Sequence, residues 1–138
     1  LSASNQLEFD FFGGGNVSIA FQYQDAVTER LFDAAPTTTK AKEALSILWT
    51  ICRHLSWQSY ECTKTATELC ELTRTDKAHM ARALDLLEEV GAIRRVKRGR
   101  VKIITVTPEG AFRGNVHNHA KTVEKFRLDV IEGGKTND

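Results

Sequence analysis

The densest chemistry in the sequence lies at residues 94–102, where Arg94, Arg95, Lys97, Arg98, Arg100 and Lys102 stand together without a single acid. The whole chain carries 19 Lys and Arg against 18 Asp and Glu, a formal net charge of +1, so overall charge selects no partner. A concentrated cationic patch on a near-neutral chain is the footprint expected of an element that contacts phosphates. A second group, Arg74, Thr75, Lys77, His79 and Arg82, precedes it. Arg and Lys pair with guanine edges or phosphates, and Thr and His donate to either, so both groups suit a polyanion with readable edges.

The remaining reactive residues imply less. Cys52, Cys62 and Cys70 are odd in number and form no C-x-x-C pair, which argues against a disulfide framework and against structural zinc. Cys52 and Cys70 fall among apolar helix positions, where a thiol acts as a small hydrophobe. His117 and His119 resemble half a metal site without a third ligand nearby in sequence. Cys52 and His54, two apart on a helix, do not face each other. No nucleophile elbow, phosphate-cradling loop or paired-carboxylate motif is present. The expectation is a binding protein rather than an enzyme, with no cofactor and no metal. No apolar run approaches the ~18 residues of a membrane-spanning helix, and the signal-peptide pattern is missing at the N-terminus. A cytoplasmic protein without a membrane partner is expected.

These residues need elements to place them. With 138 residues the chain suits one modest domain, read in three parts: 1–36, 37–114 and 115–138. In the first, residues 7–23 alternate with the strand period around Gly13, Gly14 and Gly15, which predicts a β-hairpin. A short helix over 25–32 should stop before Pro36. Thr37, Thr38 and Thr39 offer a cap for a helix over 40–57, whose wide apolar stripe implies more than one neighbour. Residues 56–63 read as a loop. Two compact helices follow, 64–73 and 76–90, broken at residues 73–75, with Thr75 or Asp76 as cap and Gly91 at the C-terminal stop. Ile93 and Val96 then alternate with basic residues, Arg98, Gly99 and Arg100 turn the chain, and Val101, Ile103 and Val106 return until Pro108. Residues 115–131 form a last amphipathic helix, with a frayed tail from Gly133.

The order helix, helix, turn, helix, basic hairpin predicts an α+β fold, mainly α. In a helix-turn-helix the second helix of the pair presents its N-terminal outer face to a major groove ~12 Å wide. The stretch LDLLEEVGAIRRV, residues 84–96, resembles the recognition helix, glycine turn and first wing strand of winged-helix regulators. On that resemblance the fold is a winged helix-turn-helix flanked by an N-terminal β-hairpin and a C-terminal helix. The partner this implies is double-stranded DNA. The contacts fall on Arg74, Thr75, Lys77, His79 and Arg82 of the helix and on Arg95, Lys97, Arg98, Arg100 and Lys102 of the wing.

Beyond the general fold, Thr107, Pro108, Phe112, Arg113 and Gly114 resemble the ending of the RepL group of plasmid replication proteins, with Thr107 in place of Asn and Phe112 in place of Trp. The resemblance covers roughly residues 17–115. It implies sequence-specific DNA binding in plasmid replication initiation or its control. A winged-helix transcriptional repressor is the alternative on the same residues, and a protein-interaction winged helix in a larger assembly is the alternative of another class. Residues 115–131, helped by 7–23, are the expected homodimer surface.

Overall fold

A computed structural model describes residues 6–136, with side chains as far as residue 132. The fold is mixed and mostly helical, with two small antiparallel two-stranded sheets. The elements in chain order are β1 (Ser18–Ile19), α1 (Phe21–Ala34), α2 (Thr38–Arg53), α3 (Ala66–Thr73), α4 (Lys77–Glu89), β2 (Ile93–Arg98), β3 (Val101–Val106), β4 (Ala111–Phe112) and α5 (Val116–Thr136).

Helix α2 is the centre. Ala41, Ala44, Ile47, Leu48, Ile51 and Cys52 are buried along it, and α1, α3 and α4 all pack on it. Thr37 caps it by accepting from the Lys40 N–H at 3.2 Å, which satisfies one of the free amides of its first turn. It ends at Arg53, earlier than the apolar stripe suggests, because the Leu55 and Cys62 backbones then pair. Burial pushes the Cys52 thiol up to about 12, so it packs as an uncharged apolar group.

The N-terminal β-hairpin expected over residues 7–23 does not form. Residues 7–10 have no regular structure, residues 11–14 are a turn, and the helix α1 already begins at Phe21. Only Ser18 and Ile19 are strand, paired with Phe112 and Ala111 of β4. The core residues of α1 are Val27 and Leu31, one turn apart, with the half-buried Tyr23 a turn before. That helical spacing was hidden under an accidental alternation of Val17, Ile19, Phe21 and Tyr23. Helix α1 ends where expected, Ala35 being extended before Pro36.

Residues 60–62 are also more than loop. The Cys62 N–H donates to Ile104 O at 2.8 Å, the Val106 N–H donates to Tyr60 O at 2.9 Å, and Glu61 bridges Thr105. This segment thus lines the outer edge of β3. At the other end, α5 continues helical to Thr136, past the tail expected from Gly133. It is tied down by His119, whose Nε2 hydrogen-bonds Pro108 O at 2.7 Å and whose ring meets Phe112 edge-on. Further along, Tyr60 meets Phe126 edge-on and its hydroxyl donates to Asp129. His119 therefore acts as a packing residue. No helix among the described residues is long and apolar enough to cross a membrane.

Candidate nucleic-acid interface

Helix α3 opens with a capping box: the Thr65 hydroxyl accepts from the Glu68 N–H, and the Glu68 carboxylate accepts from the Thr65 N–H. Leu69 anchors it to the core. The chain then reverses in very few residues because Arg74 adopts a left-handed conformation, φ 54°, and the Thr75 N–H closes back on Cys70 O at 3.0 Å. The Thr73 hydroxyl donates to Leu69 O, and the Thr75 hydroxyl sits 2.9 Å from it. Thr75 is thereby committed to the turn, while Arg74 projects as an exposed side chain.

Of the two cap candidates, Asp76 takes the role. It accepts from the His79 N–H at 2.8 Å and its second oxygen lies 2.7 Å from His79 Nδ1. These hydrogen bonds, the backbone one first, hold the Asp76 carboxyl below its ordinary range. Met80, Ala83, Leu84 and Leu87 then face the core, leaving Lys77, Ala78, His79, Ala81, Arg82, Asp85 and Glu89 exposed. The helix ends in a Schellman arrangement: Gly91, at φ 84°, donates to Glu88 O, and Ala92 donates to Leu87 O at 2.9 Å.

Shallow grooves separate α4 from the first half of α2. Arg74, Thr75 and His79 line one of about 400 Å³. His79 and Arg82 line the next, of about 360 Å³, together with Lys40 from the first turn of α2. Lys40 was missed in the sequence because only folding brings the start of α2 beside α4. Lys77 lies outside both grooves.

In the hairpin, β2 and β3 pair from Ile93↔Val106 to Arg98↔Val101. Gly99, at φ 67°, occupies the first of two turn positions and Arg100 the second, the place a II′ hairpin reserves for glycine. Alternation puts Arg95, Lys97 and Lys102 on the face that continues from Ile93, Ile104 and Val106. Arg95 is spoken for: it donates to Glu88 at 2.8 Å and to Asp85 at 2.6 Å, with its side chain only 18% exposed. It ties β2 to α4. Arg98, on the other face, donates to both oxygens of Glu61. That carboxylate raises the Arg98 guanidinium above its ordinary value. Lys97, Arg100 and Lys102 are exposed and enter no ion pair among the described residues. Lys97 and Lys102 stand directly opposite each other.

The sequence matches no protein-family model and no curated protein.

Proposed function

We propose that this chain binds double-stranded DNA as a winged helix-turn-helix, α4 entering the major groove and the β2–β3 hairpin acting as the wing. The observation that carries the reading is that the free cations sit where they oppose local stability. Directly opposed like charges such as Lys97 and Lys102 weaken a strand pair. Lys77 and Arg82 occupy the N-terminal half of α4 and Asp85, Glu88 and Glu89 its C-terminal half, the reverse of what the helix dipole favours. A polyanion set against the N-terminal half of α4 and the hairpin relieves the cationic part of both penalties.

In this reading Lys77 and Arg82 face base edges. Arg74, Lys97, Arg100 and Lys102 contact phosphates, and Lys40 joins them from α2. Arg95 sets the angle between helix and wing instead of touching DNA. Thr75 shapes the turn, and His79 stays with its Asp76 partner at the groove edge. The role in plasmid replication or its control rests on the RepL resemblance at residues 107–115. The exposed Val116, Leu128 and Ile131 make α5 one candidate surface for a homodimer, the alternative to the one argued below.

The test is binding to random duplex at increasing salt. Affinity should fall steeply, the logarithmic slope tracking ~0.9 per phosphate neutralised. Arg100→Ala should weaken binding to every sequence and reduce that slope by about one. A flat salt response would remove the DNA reading and favour a protein-interaction module.

Glu61 gives a test of opposite sign. Glu61→Gln releases Arg98, and duplex affinity at low salt is expected to rise about threefold, read by fluorescence anisotropy. Unchanged affinity would place Arg98 outside the interface.

A further inference from the structure

We propose that two copies of this chain exchange N-terminal arms, residues 7–12 of each docking into the groove between α1 and α2 of the other. The proposal is independent of the DNA reading and uses none of the residues assigned to it.

The arm is apolar and uncovered. Leu7, Phe9, Phe11 and Phe12 are 65–90% exposed, and beyond an edge contact between Phe11 and Phe12 the phenylalanine rings meet no other aromatic ring among the described residues. Four such residues in a row of six, followed by glycines, form an exposed apolar patch of the kind that marks an interaction site.

The groove is apolar and open. Ile19, Tyr23, Val27, Leu45, Leu48 and Trp49 line a cavity of about 210 Å³, larger than the ~150 Å³ that accepts a benzene ring. Trp49 stands at it with 77% exposure. The charges match. Glu8 and Asp10 alternate with the arm's apolar residues. On α2, Lys42 lies three residues before Leu45 and Arg53 four after Trp49, so helical spacing sets a cation at each end of the apolar stripe. Both are exposed and neither joins an ion pair among the described residues.

The occupant is a second copy because, within one chain, the arm's aromatic residues stay exposed and its groove stays open. Gly14 N–H donates to Asp10 O at 2.9 Å, Gly13 N–H to Asp10 Oδ1 at 3.0 Å, and Asn16 Nδ2 to Phe11 O at 2.8 Å. These bonds fold the base of the arm into a tight turn, while Ile19 a few residues on is fixed to β4 and lines the groove. The aromatic residues end up solvent-exposed and the groove stays open. A groove of about 210 Å³ seats about one aromatic ring of the arm, roughly 150–250 Å² of side chain. Two such exchanges stay below the ~1,200–2,000 Å² of a standard interface, so the dimer they form is weak and concentration-dependent.

Sedimentation equilibrium of the full chain without DNA tests this. A concentration-dependent dimer is expected. Trp49→Glu, and separately Phe9→Ser with Phe12→Ser, should each raise its dissociation constant about thirtyfold, with the helical circular dichroism unchanged because all three side chains are exposed. Lys42→Glu with Arg53→Glu should weaken it about fivefold, and adding Glu8→Lys with Asp10→Lys should restore it. A single-chain mass at every concentration overturns the proposal. So does a dimer indifferent to Trp49→Glu, which would move the interface to α5. A Trp49 fluorescence change caused by Phe9→Ser with Phe12→Ser in a monomeric sample would mean docking within one chain, and overturns it equally.

Discussion

Gly110→Ala is expected to lower the stability of the fold by about 3 kcal/mol, at the upper end for a residue forced into a packed site. A Cβ at position 110 would come within 2.3 Å of Tyr23 Cδ1 and 2.5 Å of its Cγ. Neither side can give way easily. The Tyr23 hydroxyl donates to Ala92 O at 2.7 Å, which pins the far end of the ring to the start of β2. Gly110 O accepts from the Ala20 N–H at 2.7 Å, and its own N–H donates to Thr107 O at 2.9 Å. The ring thus fills the space where α1, the hairpin base and the turn before β4 meet, and burial holds its phenol above the ordinary range. Urea unfolding reads the effect directly. A midpoint like that of the unaltered protein would show that Tyr23 is not seated against this glycine.

Lys77→Ala and Arg82→Ala should change which DNA is preferred. If either makes a bidentate contact with a base, the gap between a selected site and random duplex narrows by ~1–3 kcal/mol. Both lie on the exposed face of α4, away from Met80, Leu84 and Leu87, so folding should be little affected. Sites selected from a random DNA pool supply the reference. Equal losses on selected and random DNA would show that α4 is not the reading element.

The parts of the fold that were legible in the sequence are those whose apolar residues repeat within one element. Met80, Ala83, Leu84 and Leu87 define α4 without outside help, and Gly91 and Gly99 mark its end and the hairpin turn through backbone conformations glycine adopts most readily. The N-terminal region misled because two periods overlap there. Phe9 and Phe11 alternate with acids yet meet no sheet, and Tyr23, Val27 and Leu31 make a helix face that begins inside the alternating run. The partner of β1 is β4, most of the chain away, and no local pattern encodes that pairing. Residues 60–62 have the same problem: three residues are too few to show a strand period.

The candidate interface divides similarly. Which residues are cationic was plain, but which are available was not. Arg95 and Arg98 look equivalent in the run 94–102, and only the fold sets Asp85 and Glu88 beside one and Glu61 beside the other. Lys40 gains its place from the packing of α2 on α4.

The Arg95 bridge between β2 and α4 has a consequence for tolerance to spacing. Two recognition elements on a flexible joint adapt to targets whose contact points lie nearer or farther apart, at an entropic cost on each binding event. Fastened by one guanidinium across two carboxylates, helix and hairpin would, on the proposed DNA reading, meet a duplex as one caliper. Such a caliper favours one geometry of groove and backbone. Inserting one base pair between the contacts of α4 and those of the hairpin should therefore disturb binding more than a base change at either contact, and Arg95→Ala should soften that difference.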